Sequence, residues 1–365
     1  MRIKNLLVKF IAIPIMAIAL IGCGASSDSG DNGSDQGSAY ESAGDAGSAG
    51  DPVADAGTDA TAEPEPQEPV ITNAPADAFM LPEIEMLTGE FVDLQYQFAK
   101  KKYPVTWTST DPSIVKVGKN GSKIKAKKEG IVSIEGMSSD GQHAFQCIVT
   151  VIERPESLIY LTFDDGPSRN STPKILDILN KNAVHATFFE LKPAKADYDL
   201  TQRVIDEGHS LAIHGYSHHY DEIYRSDEVY HKNLTKLQKL FYKDFGQWCT
   251  QTRFPGGSSN TVSRHYSVGI MSRLSKKVHE WGFLYQDWNV SSGDAGGSNT
   301  PDQVFKMVTS GIQKGRSNVI LMHDFSGNDK TINALQRIID WGKQNGFTFR
   351  GMTAATGEVH HGINN

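Results

Sequence analysis

The sequence predicts a multidomain protein in which a parallel (β/α) domain follows a small all-β sandwich and a disordered tether. Three observations lead to this fold class. Residues 24–75 are poor in large apolar side chains, residues 76–153 contain short alternating strand patterns, and residues 154–356 alternate strand and helix patterns. A chain of 365 residues accommodates two folded domains together with unstructured segments.

The first 23 residues predict export from the cytoplasm. Arg2, Lys4 and Lys9 precede an apolar run of about a dozen residues, which is shorter than a transmembrane helix requires. The run ends in "LIGC", which resembles the lipobox of bacterial lipoproteins, whose Cys is acylated. We therefore expect residues 1–23 to be a signal peptide, Cys23 to be the lipidation site, and the protein to lie on the extracellular face of the cell membrane. An uncleaved anchor is the alternative.

The negative charge of the chain belongs to one segment. The net charge is −7, yet residues 24–75 hold eleven acidic side chains and no Lys or Arg. Beyond residue 75 the chain has 33 basic and 32 acidic residues, so it is nearly neutral. A Gly-, Ser-, Ala- and Asp-rich segment cannot bury enough apolar surface to offset its ordering entropy, which predicts a disordered acidic tether. No basic stripe interleaves with aromatic residues, so we expect no nucleic-acid partner.

Residues 76–153 predict a small sandwich. The strand patterns are "FVDLQYQF", "PVTWTST", "SIVKVG", "KIKAK", "IVSIEGMS" and "AFQCIVTVI". Turn signals, including Asn120-Gly121 and Asp140-Gly141, separate them. The run "VTWTSTDPSIVKVGKNGSKIKAKKEGIVSI" closely resembles the bacterial Ig-like group-2 domain. The resemblance implies a spacer or adhesion module, and carbohydrate binding is the alternative that we consider weaker.

Residues 154–356 predict a parallel sheet, either open or closed into a barrel. The predicted strands are 158–163, 185–191, 210–214, 252–254, 283–290, 318–323 and 347–351. Thr172-Pro173 and Thr300-Pro301 each offer a helix N-cap followed by Pro at the first helical position. Cys147 and Cys249 fall in different predicted domains, so we expect two buried thiols rather than a disulfide.

Polar side chains occur where the predicted strands of this domain end. They are Asp164, Asp165, His214, His218, Arg253, Asp294 and His323. Barrel enzymes assemble their sites from the carboxyl ends of different strands, so we expect these side chains to meet.

The motif "HGYSH" places His214 and His218 four residues apart, within reach of one ion if the loop turns helically. Two imidazoles and one carboxylate leave a fourth zinc position open, which is typical of a catalytic site. A metal ion that neutralises one of the adjacent aspartates leaves the other ionised as a base. Their different tasks explain why Asp164 and Asp165 are neighbours.

The motifs "TFDDGP", "HGYSH", "RFPGG", "DWNVSSGDA" and "LMH" resemble, in this order, the five motifs of the polysaccharide deacetylases. This family is also called the NodB-homology domain or carbohydrate esterase family four. The resemblance extends over about 200 residues. It implies a distorted (β/α) barrel, one divalent metal ion, and removal of N-acetyl or O-acetyl groups from polysaccharides.

Carried over onto this sequence, the family's roles fall on the polar residues above. Asp164 would be the general base, oriented by Arg253, and Asp165, His214 and His218 would hold the metal ion. The Gly256 N–H would contribute to an oxyanion hole. His323 would be the general acid, oriented by Asp294, and Leu321 would line the acetyl pocket. Zinc is the expected ion, with Co²⁺, Ni²⁺ and Mn²⁺ as alternatives.

Two positions depart from the family pattern. Many members have Tyr where this chain has Gly256, and many have Trp where it has Ala295. We expect Trp288 to compensate partly as a wall of the substrate pocket. Asp287 is a weaker candidate than Asp294 for orienting the general acid.

The remaining histidines are expected to be structural or exposed, with His360 and His361 in a frayed tail. Neither H-E-x-x-H nor G-x-S-x-G occurs, which argues against a zincin protease or a serine esterase.

The sequence thus predicts a lipid-anchored, monomeric hydrolase that deacetylates peptidoglycan N-acetylglucosamine. The alternatives are an esterase acting on acetylxylan or another glycan, and an inactive glycan-binding or adhesive protein.

Overall fold

The computed structural model describes residues 70–72, 83–95, 97–98, 101–102, 105–119, 121–139, 141 and 144–365. The predicted signal peptide, Cys23 and nearly all of the predicted tether lie outside these residues. The strand Val70–Thr72 falls within the predicted tether and pairs in parallel with Phe91–Gln95. The prediction of disorder through residue 75 is therefore wrong at these three residues, all of which are β-branched and favour extended backbone.

The smaller domain is a sandwich of two four-stranded sheets with the orders β1-β3-β8-β7 and β2-β10-β9-β6, and β4 pairs with β5. Its strands are β1 (Val70–Thr72), β2 (Ile84–Leu87), β3 (Phe91–Gln95), β4 (Gln97–Phe98), β5 (Lys101–Lys102), β6 (Val105–Ser109), β7 (Val115–Val117), β8 (Lys123–Ala126), β9 (Gly130–Ser138) and β10 (Ala144–Ile152). Inward-facing residues of both sheets, including Val92, Trp107 and Ile134, form one core. The predicted sandwich is confirmed, although the sequence patterns missed β1, β2 and β5.

The larger domain is a curled parallel half-barrel with the strand order β15-β14-β13-β12-β11-β17-β16, and β18 also pairs with β11. Its strands are β11 (Leu158–Asp164), β12 (Thr187–Leu191), β13 (Ser210–Gly215), β14 (Gln251–Thr252), β15 (Leu284–Tyr285), β16 (Val290–Ser291), β17 (Ser317–His323) and β18 (Thr348–Phe349). The predicted strand 283–290 is two short strands. The parallel sheet of the half-barrel confirms the predicted distorted (β/α) barrel.

Helices connect these strands and cover the sheet. They are α1 (Thr172–Lys181), α2 (Tyr198–Asp206), α3 (Tyr220–Ile223), α4 (Asp227–Phe245), α5 (Ile270–Glu280), α6 (Pro301–Gly311) and α7 (Asp329–Gln344). Thr300 caps α6, as predicted, and also forms a capping box with Gln303. The N-cap of α1 is Ser171 rather than Thr172, and the Thr172 hydroxyl donates a hydrogen bond to the Asp324 carboxylate.

Strand β11 lies between β12 and β17 and is buried along its whole length. Successive side chains point to opposite faces of a strand. Ile159, Leu161 and Phe163 therefore pack beneath the helices. Tyr160 packs on the opposite face, in the interior of the half-barrel. Asp164 shares that interior face and stands at its carboxyl end.

The two domains exchange core residues. Leu87 of the sandwich packs in the interior cluster of the half-barrel with Leu158 and Tyr160. Ala355, which follows β18, packs in the core of the sandwich. Arg350 donates a hydrogen bond to the Glu85 carboxylate at 2.7 Å, which adds an ion pair to the interface.

Cys147 and Cys249 are buried in the cores of different domains, which confirms that they do not form a disulfide. Among the residues that the structure describes, no helix has the length and apolarity needed to cross a bilayer.

Candidate active site

The predicted site residues converge at the carboxyl edge of the half-barrel sheet. Asp164 ends β11 and His323 ends β17, and the two are direct partners in the parallel pairing of these strands. His214 lies in β13, next to β12, and Arg253 follows β14. The strand order therefore gathers side chains that are as much as 159 positions apart in sequence.

Asp165 and the two histidines of the H-x-x-x-H motif form a compact group of ligands. Asp165 Oδ1 lies 3.3 Å from His214 Nε2 and 3.6 Å from His218 Nε2. This oxygen is buried and has no hydrogen-bond partner of good geometry. Burial disfavours the Asp165 carboxylate, but the two imidazoles outweigh it and hold its pKa well below the usual range. A buried, unsatisfied oxygen facing two imidazole nitrogens fits a divalent cation.

The backbone places Asp165 for this purpose. Its φ of 74° lies in the left-handed region, which non-glycine residues seldom adopt. This turn directs the Asp165 carboxylate toward the histidines, while the preceding Asp164 stays in the strand. Strain of this kind, of order 1–3 kcal/mol, is characteristic of functional sites.

His214 is oriented by the backbone of the neighbouring strand. Its Nδ1 lies 3.0 Å from the Arg253 carbonyl oxygen, so Nδ1 carries the proton and Nε2 is left as the ligand atom. A backbone carbonyl that fixes the tautomer in this way is the usual support of a metal-ligating histidine.

Asp164 forms a buried ion pair with Arg253. The Arg253 side chain is fully buried and donates to Asp164 Oδ1 at 2.7 Å. Its other donors reach the Thr162 hydroxyl and the carbonyl oxygens of Gln286 and Asp287. Arg253 binds Oδ1, so this ion pair leaves the second carboxylate oxygen of Asp164 to a reactant.

His323 is held by Asp294 through two contacts. The Nδ1 of His323 lies 2.7 Å from Asp294 Oδ1, and its backbone N–H donates to Oδ2 at 2.8 Å. Asn328 and Thr331 also donate to Oδ2. Burial opposes the imidazolium charge, but the Asp294 hydrogen bond and charge, aided by Asp164 and Asp165, raise the pKa of His323 to about 9. His323 is therefore charged at neutral pH, with Nε2 left as the proton donor.

Aromatic rings approach both glycines of the "RFPGG" motif. A Cβ on Gly256 would lie 2.6 Å from the Tyr220 hydroxyl, and a Cβ on Gly257 would lie 2.9 Å from Trp288. The wall expected from a side chain at position 256 is thus supplied by Tyr220, and Trp288 lines the other side of the same loop. Gly256 is exposed.

Leu321, the second predicted pocket residue, lies on β17, and Ala295 lies next to Asp294. Leu321 is two residues before His323 on β17 and shares its face. Ala295 is exposed beside the buried Asp294.

Asp287 is buried but is not bonded to His323. Its carboxylate accepts from the Ser258 N–H and hydroxyl and from the His361 N–H. These bonds fix the glycine loop and the end of the chain. Of the two aspartates considered for orienting His323, Asp294 is therefore the one that contacts it.

The prediction of a frayed tail at His360 and His361 is wrong. The His360 ring stacks on Tyr285 with centroids 3.8 Å apart. The buried carboxylate of Glu358 accepts from the Tyr285 N–H at 2.7 Å and contacts His279 Nε2 at 3.0 Å. His279, Glu358 and His360 form a second group of potential metal ligands. Since Glu358 already has protein partners, ion pairing suffices to explain this group.

Sequence reasoning missed several supporting residues. Thr162, two residues before Asp164 on the same face, could have been found from strand alternation. Asn328, Thr331 and Tyr220 carry no motif signal, because their contacts depend on how α3 and α7 pack.

Comparisons with known proteins identify this arrangement. Residues 152–269 match the family model for polysaccharide deacetylase, and residues 87–149 match the bacterial Ig-like domain (group 2). The chain is 30% identical to the peptidoglycan-N-acetylmuramic acid deacetylase PdaA of Bacillus subtilis over 197 residues, which cover 53% of this chain and 70% of PdaA. The chain belongs to the polysaccharide deacetylase family, and its smaller domain is Ig-like.

Two further relatives are peptidoglycan N-acetylglucosamine deacetylases. PgdA of Listeria monocytogenes is 29% identical, and the match covers 62% of this chain and 47% of PgdA. The chain therefore spans about half the length of PgdA. The crystal structure of a catalytic domain from Eubacterium rectale is 40% identical with a TM-score of 0.55, covering 59% of this chain and 96% of that domain.

Proposed function

We propose that this protein is a metal-dependent deacetylase of N-acetylated cell-surface polysaccharide, with peptidoglycan N-acetylglucosamine as its substrate. One observation carries the proposal. The Asp164–Arg253 pair and the His323–Asp294 pair both border the Asp165–His214–His218 group, and Asp164 and His323 are direct strand partners. A base and an acid thus stand beside a site suited to a divalent ion.

Asp165, His214 and His218 would hold the ion, and zinc fits two imidazoles and one carboxylate. When bound, such an ion supplies Lewis acidity that polarises a carbonyl and lowers the pKa of water. Polysaccharide deacetylases are generally metal-dependent enzymes.

The protein's own groups account for the proton transfers. Asp164 accepts a proton from the attacking water, whose oxygen bonds to the carbonyl carbon of the acetamide. The Gly256 N–H donates to the carbonyl oxygen as negative charge develops on it. The C–N bond then breaks as His323 gives its Nε2 proton to the amine. Acetate and a free amino sugar result. Asp294 stabilises the His323 imidazolium until it gives up its proton.

Acetate release from purified polymers tests this proposal. We expect the full-length protein to release acetate from peptidoglycan, and Asp164→Asn to reduce kcat by about a hundredfold or more. The Asn variant should keep its metal content, which separates loss of the base from loss of the site. Release from acetylxylan but not from peptidoglycan would establish the esterase alternative instead.

The cellular location is a separate proposal, supported by the lipobox-like sequence that ends at Cys23. We propose attachment to the extracellular face of the cell membrane through an acylated Cys23. Two acyl chains suffice for stable attachment, whereas one is marginal. Cys23→Ala should release the protein from the membrane fraction or leave it unprocessed. Normal fractionation of a processed Cys23→Ala protein would contradict acylation.

A further inference from the structure

A cavity of about 600 Å³ lies beside the metal-ligand group and is outside the catalytic residues described above. It is bounded by the end of β12, by the H-x-x-x-H loop and by α3 and α4, and His218 forms part of its wall. His218 is thus shared by the cavity wall and the metal-ligand group.

Three lysines give this cavity a positive charge. Lys236 Nζ lies 4.4 Å from the centroid of the Tyr216 ring, and Lys192 Nζ lies 5.4 Å from the same centroid. Lys232 also lines the cavity. The electron-rich face of an aromatic ring attracts a cation, but two ammonium groups that share one ring repel each other.

Within residues 144–365, no carboxylate forms an ion pair with these three lysines. The carboxylate that lines the cavity belongs to Glu222, and it accepts a hydrogen bond from the Ser217 hydroxyl at 2.8 Å. Three cations and one carboxylate leave the cavity with an excess of positive charge. An anion is the ligand that this arrangement would stabilise.

We propose that the lysine-lined cavity binds a carboxylate carried by the glycan strand, on a sugar next to the one that is deacetylated. The inference rests on the proposed function, since it assumes that a glycan occupies the site. In peptidoglycan every second sugar carries a lactyl group whose carboxyl is amide-bonded to a peptide, and that peptide carries free carboxylates. Polymers of N-acetylglucosamine alone have none. The cavity would therefore select anionic acetylated strands over neutral ones.

The test compares two substrates in the full-length protein: peptidoglycan strands with their stem peptides, and a neutral N-acetylglucosamine pentamer. The quantity measured is the ratio of kcat/KM for the anionic substrate to kcat/KM for the neutral one. We expect Lys236→Met and Lys192→Met each to lower this ratio by about threefold to tenfold. For the unaltered protein, the ratio should also fall with increasing salt, because screening weakens the exposed ion pairs.

Lys239→Met is the matched control, because Lys239 is an exposed residue of the same helix that does not line the cavity. It should leave the ratio unchanged. Unchanged ratios in both cavity variants, or an equal fall in the control, would overturn the proposed subsite while leaving the deacetylase function intact. If the unaltered protein deacetylates neither substrate, the proposed function itself fails.

Discussion

The Tyr220 hydroxyl occupies the space that a side chain at Gly256 would need, with a separation of 2.6 Å from an ideal Cβ. Tyr220 is held between the rings of His218 and Tyr224, with centroids 5.4 and 5.5 Å away. The aromatic wall of the site thus comes from the first residue of α3 rather than from the "RFPGG" motif. The absence of a side chain at position 256 is what makes room for it.

Gly256→Ala should therefore be more destabilising than the conformational strain of a positive φ alone. Gly315→Ala is the control, because Gly315 has a φ of 76° against 78° for Gly256 but has open space around it. We expect a loss of about 1–2 kcal/mol in unfolding free energy for the control, and about 1–3 kcal/mol more for Gly256→Ala. Urea unfolding measures both.

A second substitution identifies the atom responsible for this loss. Adding Tyr220→Phe to Gly256→Ala removes the phenol oxygen and should recover most of the excess. If the two substitutions are additive, the hydroxyl is not the source of the clash.

The alkaline limit of activity should report on His323. The pKa of His323 is raised to about 9, so its acidic form is present below that value and is lost as pH rises through it. Asp294→Asn removes the stabilising charge and should move the alkaline limb of kcat/KM to lower pH by about 1–2 units. Thr331→Val, which removes one donor to Asp294 but keeps the charge, should produce a smaller displacement. An unmoved limb in Asp294→Asn would assign the alkaline transition to another group.

Metal content should depend on the ligand group and not on the base. We expect one equivalent of divalent metal per chain, removed by a strong chelator together with activity. His218→Ala should lower metal affinity by about tenfold or more, while Asp164→Asn and the exposed control His185→Ala should retain the ion. Elemental analysis after dialysis distinguishes these cases. Full activity in metal-free protein would contradict the proposed mechanism.

Glu190 should make stability fall at high pH. Its carboxyl is fully buried, and burial raises its pKa from 4.5 to about 8, although a hydrogen bond from Thr201 opposes the rise. Below pH 4.5 the carboxyl is protonated in both the folded and the unfolded state, so it does not change the unfolding free energy. The unfolding free energy then falls progressively up to about pH 8, and above that pH the full loss is present.

Glu190→Gln removes this ionisation. The variant should therefore unfold at a higher temperature than the unaltered protein above pH 8, with the difference shrinking toward pH 5. The penalty is on the order of 1.4 kcal/mol for each pKa unit of the shift. Glu280→Gln, at an exposed position, should show no such trend. Thermal unfolding at pH 5, 7 and 9 provides the comparison, and parallel curves would show that folding does not raise the pKa of Glu190.

The residues at strand ends could be predicted from sequence because a parallel sheet brings its carboxyl ends to one edge. That single rule located Asp164, Asp165, His214 and His323. It gave no information about Tyr220, whose contact with Gly256 depends on the packing of a loop. The end of the chain was misjudged for a similar reason. Glu358 is polar and close to the terminus, yet it is buried because it satisfies the N–H of an edge strand.

The exchange of Leu87 and Ala355 between the two cores has a consequence for how the molecule unfolds. Each core is completed by a residue of the other domain, so melting either one would expose apolar surface of its neighbour. The Ig-like domain thus differs from a freely jointed spacer, which would have its own independent transition. We therefore expect sandwich and half-barrel to unfold in a single cooperative transition.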